Sequence, residues 1–174
     1  MFISPAAYAK AYALYESQTN SDEQDRIAWT AYYVALDQDV SDELMLAAFE
    51  AGYAESGMRN LDHGDRDSLG VLQQRGSWGS VEERRTPEWA FRKFFAASAD
   101  QRLKVPFGQG AHKVAQAIQR SECDGSNPAD PTKKDGKRWM KSCDGGEYGG
   151  NYRKQEKKSL ETIDRLRKES ALPS

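Results

Sequence analysis

The chain has 174 residues, enough for one domain with a sizeable core, and its composition (38% hydrophobic, 30% charged) is that of a globular protein on the polar side. No apolar run reaches the length of a bilayer span, which excludes a transmembrane helix. The formal charge of −2 conceals an asymmetry: from Lys133 to Lys168 there are twelve Lys/Arg against six Asp/Glu, a surplus of six positive charges, so the remainder carries a surplus of eight negative ones. A basic C-terminal third suits contact with an anionic polymer, and equally suits a solvated helical face of mixed charge.

In chain order, the opening "MFISPAAYAKAYALYESQ" lacks a basic stretch and is broken by tyrosines, Lys10 and Glu16, so it does not read as a signal peptide. Ser4-Pro5 has the form of a helix cap followed by proline in the first turn, which predicts a helix to about Ser17. A second helix is expected over 22–36, with Ile27, Tyr32 and Leu36 inward. Ser41 caps "DELMLAAFEAGYAE", whose acidic first turn complements the helix dipole, and Leu44, Ala47, Ala48 and Ala51 recur at the spacing of a buried face. Thr86-Pro87-Glu88 opens a helix burying Trp89, Phe91, Phe94 and Phe95, and 111–120 forms another with Val114, Ala117 and Ile118 inward.

From Cys123 to Asn151 the chain turns to Gly, Asp, Asn, Pro and Lys, the composition of a long loop. Its two cysteines, Cys123 and Cys143, fit one disulfide closing that loop or two free thiols. They are too far apart for a redox Cys-x-x-Cys pair, and no histidine cluster accompanies them, so no metal is expected. The final segment predicts a helix to about Lys168 with Leu160, Ile163 and Leu166 as a thin stripe. The expected fold class is mainly α, with at most a small hairpin within "LDHGDRDSLGVLQQ".

Chemistry concentrates around Glu55. It follows Phe49, Tyr53 and Ala54 on a helix that Gly57 should end. A carboxyl against apolar neighbours at a helix C-terminus is expected to hold its proton more tightly, the requirement for a general acid near neutral pH. Asp62, Asp65 and Asp67 follow, as turn formers or as a second carboxylate, and their spacing is not that of a calcium loop. His63 reads as an exposed loop residue. The Gly70-Val71-Leu72-Gln73 segment would bring amides near a ligand, and neutral amides suit a neutral, acetamide-bearing sugar. Trp78 and Tyr53 are candidate stacking faces or core residues.

Glu55-Ser56, with Gly70-Val71-Leu72-Gln73 beginning fifteen positions after the glutamate, resembles the Glu-Ser … Gly-Leu-Met-Gln signature of the lytic transglycosylases and goose-type lysozymes. More closely, "ESGMRNLDHGDRDSLGVLQQR…WG" with "VAQAIQRSE" is similar to lysozyme-like domains common in actinobacteria and their phages. The resemblance spans 41–122. His63 stands where tyrosine is usual, and Gln119-Arg120-Ser121 takes the place of an Ala-Tyr-Asn-Ala-Gly motif.

The resemblance implies an α+β lysozyme-like helical core at 41–122; outside its span, the residues themselves read as an N-terminal helical extension packed on that core at 1–40. A loop at 123–151 and a basic C-terminal helix at 152–174 would complete the chain. It implies cleavage of the β-1,4 bond between N-acetylmuramic acid and N-acetylglucosamine, with Glu55 as acid and the substrate acetamide or one of Asp62, Asp65 and Asp67 as stabiliser. Ser56, Gly70, Val71, Gln73, Gln74, Trp78 and Gln119 would line the glycan cleft. No cofactor is required. The implied partner is the peptidoglycan glycan strand, together with other phage tail proteins if the chain is a virion component, and neither nucleic acid nor membrane. The implied location is the virion or the bacterial wall. A non-catalytic wall-binding or structural part of a phage tail tip is the alternative, and a free endolysin a third possibility.

Overall fold

The computed structural model describes residues 4–17, 22–119 and 149–171. Helix accounts for 67% of them, in eight α-helices, with no strand among the described residues. The helices are α1 (Pro5–Ser17), α2 (Glu23–Asp37), α3 (Asp42–Ser56), α4 (Val81–Arg84), α5 (Pro87–Ala97), α6 (Ala111–Gln119), α7 (Gly150–Arg153) and α8 (Glu156–Ala171). A 3-10 turn at Gln101–Leu103 joins α5 to α6. The fold is mainly α. The expected 123–151 loop, the pairing of Cys123 with Cys143 and the end of the "QRSE" stretch fall almost wholly outside the described residues.

Helix starts follow from short polar caps that accept otherwise orphaned N–H groups. Ser4 Oγ accepts from the Ala7 N–H at 3.1 Å, Asp22 from Gln24 at 3.1 Å and Ser41 from Leu44 at 3.2 Å. Gly57, in the left-handed conformation (φ 65°), ends α3 and returns its N–H to the Tyr53 carbonyl.

The third helix is the centre of the molecule. It packs most extensively on α6, and also against α2, α5, α7 and α8. Its residues from Ala47 to Gly52 are all buried, which marks a helix enclosed on every side rather than amphipathic. Ala47, Ala48, Ala51 and Gly52 are small enough for several neighbours to approach at once. One buried cluster takes Trp29, Tyr32 and Val34 from α2 together with Met45 and Phe49 from α3, Phe91 and Phe94 from α5, Val114 and Ile118 from α6, and Tyr152 and Leu166 from the C-terminal helices. Residues 23–37 therefore belong to the same core as 42–119.

Several local expectations are corrected. Within 61–74, where at most a small hairpin is expected, a single antiparallel bridge joins Leu69 to Gln74. Between the bridged residues the carbonyls of Val71 and Leu72 are taken by the side chains of Ser56 and Gln119, and the Gln74 carbonyl accepts Arg84 as well as the Leu69 N–H of the bridge. Trp89 is only half-buried, while Ala90 takes a core position. The C-terminal helix is interrupted at 154–155 and runs on to Ala171. Its buried face is Ser159, Ile163, Leu166 and Ser170, spaced i, i+4, i+7, i+11, whereas Leu160, one residue out of phase, is 43% exposed.

Much of the basic charge of α8 is paired within the molecule. Arg165 bridges to Asp25 on α2 and to Glu169, Arg167 to Asp42 on α3 at 2.7 Å, and the Lys158 ammonium sits 4.4 Å from the centre of the Tyr53 ring.

Candidate functional site

Glu55 stands in the last turn of α3, half-buried. Its Oε1 accepts a 2.5 Å hydrogen bond from the Tyr152 hydroxyl. Tyr152 is 1% exposed, its ring fixed in the core between α3 and α6. The approach of α7 depends on Gly149, at φ 79°, where a Cβ would lie 2.4 Å from the His112 carbonyl oxygen of α6. Only glycine allows both that conformation and that closeness. Around the carboxyl is a pocket of about 180 Å³, lined by Ala54 and Glu55 from α3 and by Asn151, Tyr152, Lys154 and Gln155 from the C-terminal segment.

Ser56, the next residue, ties this helix end to the 70–73 turn. Its Oγ is 2.7 Å from the Val71 carbonyl oxygen and 3.1 Å from that of Gly52, and it accepts the Arg59 N–H at 3.1 Å. From the other side Gln119 Nε2 donates to the Leu72 carbonyl at 2.7 Å. Val71 and Leu72 are themselves buried, so α3, the turn and α6 form one fastened unit. Gly70 (φ 76°) lets the turn pass α4, since a Cβ there would stand 1.9 Å from the Arg84 carbonyl oxygen.

The remaining predicted residues lie apart from the Glu55 pocket. Gln73 turns its amide back onto the His63 and Gly70 carbonyls, 3.1 Å from each. Gln74 is buried, with Nε2 directed to the Ala90 carbonyl at 3.4 Å. Trp78 is half-buried against the core. Asp62 and His63 pair at 2.9 Å and are both largely exposed, and the histidine holds the Asp62 carboxyl below its ordinary value. Asp67 is ion-paired to Arg75 and accepts the Gly76 N–H at 2.8 Å, and these partners lower its pKa in that order. Asp65 is exposed, and its carbonyl accepts the Ser68 N–H. No aspartate is among the described residues lining the pocket. Among the described residues no cluster of three or more His, Cys, Asp or Glu is placed to hold a metal ion.

Sequence reasoning missed three residues. Tyr152 sits 97 positions from Glu55, beyond the reach of any local pattern. Arg84 is 5% exposed, and its guanidinium joins the Asp67, Gln74 and Ser80 carbonyls into one frame. A signal for it existed: Ser80-Val81-Glu82-Glu83 is a capping box, with Glu83 N–H on Ser80 Oγ at 3.1 Å and Ser80 N–H on Glu83 at 2.8 Å. The third is Glu50 on α3, 1% exposed, whose Oε2 has no hydrogen-bond partner among the described residues. Burial pushes its carboxyl up to about 8, and the negative charge of Glu156 pushes the same way.

No protein-family model, curated protein or solved structure matches this chain.

Proposed function

We propose that the protein is a peptidoglycan-cleaving glycosidase of lysozyme-like α+β fold, a lysozyme or a lytic transglycosylase, in which Glu55 donates the proton. The observation that carries this reading is the 2.7 Å contact from Ser56 Oγ to the Val71 carbonyl. It fastens the Glu-Ser helix end to the Gly-Val-Leu-Gln turn, the two segments on which the resemblance rests.

In this reading Glu55 protonates the glycosidic oxygen between N-acetylmuramic acid and N-acetylglucosamine, a step that contributes about 10²–10⁴-fold when the acid is well placed. Tyr152 fixes the carboxyl through Oε1, and the transferred proton is carried on Oε2. Once Glu55 has ionised, the same hydroxyl stabilises the carboxylate as it turns to act as base. The substrate's own acetamide stabilises the oxocarbenium-like charge. The engagement of Asp62 with His63 and of Asp67 with Arg75 supports that choice over a second carboxylate. Water activated by Glu55 gives a lysozyme, whereas proton removal from the muramoyl 6-hydroxyl gives anhydro ends.

One observation favours a second reading. At about 180 Å³ the pocket is smaller than the roughly 300–1,000 Å³ of ordinary ligand clefts, and four of its six described lining residues, Asn151, Tyr152, Lys154 and Gln155, come from the C-terminal segment. Those features suit a non-catalytic wall-binding or assembly module of a phage tail tip. A zymogram on embedded peptidoglycan, run beside a pull-down on insoluble wall, separates the two. Clearing that Glu55→Gln abolishes supports the glycosidase, and retention on wall without clearing supports the module. Either role places the protein on a virion or at the bacterial wall.

A further inference from the structure

A second and larger cavity, of about 500 Å³, lies where the end of α1 meets α2 and the start of α5. Among the described residues it shares no lining residue with the pocket at Glu55. Its volume falls within the roughly 300–1,000 Å³ range of small-molecule sites. Tyr15, Ile27 and Pro87 supply apolar surface, and Glu16, Glu23 and Arg26 supply the charged groups.

These walls are set before any ligand arrives. The Tyr15 ring is stacked on Tyr33, with centroids 4.7 Å apart and planes 11° apart, and its hydroxyl donates to Glu88 at 3.1 Å. Glu16 accepts the Tyr12 hydroxyl at 2.5 Å, and Glu23 accepts the Asn60 N–H at 3.1 Å. A carboxylate offers about four lone-pair sites, so each retains acceptor capacity after its internal bond. Side chains held this way lose little freedom on binding, which lowers the entropic cost of association.

The chemistry selects the ligand class. Two carboxylates against one guanidinium disfavour phosphates, uronates and other anions. The Arg26 guanidinium among the lining residues offsets one of the two carboxylates and makes the cavity a poor trap for a simple cation. What remains is a molecule rich in O–H or N–H donors with one apolar face, which describes a pyranose ring. We propose that this cavity is a saccharide-binding site for one uncharged pyranose unit, separate from Glu55. The assignment holds whether or not Glu55 cleaves glycan.

The test uses the full chain carrying Glu55→Gln, so that no saccharide is cut, labelled with nitrogen-15 and titrated with uncharged chitotriose. Saturable shifts of the Glu16, Arg26 and Ile27 amides are expected, with affinity in the millimolar range. Tyr15→Ala should weaken binding by about tenfold or more, the loss of one aromatic contact. Should Tyr15→Ala fail to fold by circular dichroism, Glu16→Lys is the second probe and should weaken binding similarly, while Tyr15→Phe, which keeps the ring, should bind nearly as the parent does. Shifts confined to Ala54, Glu55 and Tyr152, or no shifts at all, would overturn the proposal. So would shifts of the Glu16, Arg26 and Ile27 amides produced by spermidine and not by chitotriose.

Discussion

The Tyr152 hydroxyl donates to Glu55 Oε1 across 2.5 Å, joining α7 to the last turn of the central helix α3. Residues 97 positions apart thus make one unit, and the buried Tyr152 ring fixes where the carboxyl can point. Tyr152→Phe keeps the ring and removes only the hydroxyl. Because a hydrogen bond to a charged group contributes about 1.5–3 kcal/mol, the proposed glycosidase should lose about 10- to 100-fold in kcat on peptidoglycan with KM little changed. Thermal unfolding should move by only a few degrees. Unchanged kcat would show that Tyr152 has no part in positioning Glu55.

The 70–73 turn is held by Ser56 from one side and Gln119 from the other. Ser56→Ala and Gln119→Ala each leave a carbonyl of the turn without its side-chain donor, which should cost about 1–3 kcal/mol in urea denaturation. Both bonds hold adjacent residues, so the double variant should lose less than the sum of the two. Strict additivity would mean that the turn is not a single mechanical unit.

Gly70 should tolerate no side chain. With φ at 76° and a Cβ placed 1.9 Å from the Arg84 carbonyl oxygen, Gly70→Ala meets both backbone strain and a clash with main chain rather than with a movable side chain. The expected loss is about 3 kcal/mol or more, read as a large drop in the urea midpoint.

Glu50 should make stability depend on pH. Its carboxyl is raised from the ordinary 4.5 to about 8, with burial as the main cause. Below pH 4.5 the folded and unfolded forms both hold the proton. Between pH 4.5 and about 8 only the folded form does, so stability falls as pH rises through that window, by up to about 1.4 kcal/mol per unit. Glu50→Gln should flatten this limb and leave the variant more stable than the parent above pH 8. Identical pH profiles for the two proteins would contradict the assignment.

What the sequence reveals here is what neighbours in the chain decide. Caps at Ser4 and Ser41, the stop at Gly57 and the small residues of α3 are local features, and the helices begin and end where they direct. The 61–74 segment reads locally as a turn with at most a small hairpin, and pairing stops at the Leu69–Gln74 bridge because the Val71 and Leu72 carbonyls within it are claimed by Ser56 and Gln119 from two different helices. Leu160 carries the right hydrophobicity in the wrong phase, and the small Ser159 takes the inward place. At the candidate site, the closeness of the α3 end to the 70–73 turn was legible only through the resemblance, and Ser56 makes that contact, to Val71 fifteen positions on. Tyr152 was not legible, because nothing within a helix turn of either residue specifies that the other is near.

Mass spectrometry of the soluble products released from purified peptidoglycan tests the central claim most directly. The account predicts muropeptides ending at N-acetylmuramic acid, reducing or anhydro, in the parent digest, and a yield reduced about 100-fold or more with Glu55→Gln. Equal release by parent and Glu55→Gln, or no release by the parent under conditions in which it binds the wall, would contradict it.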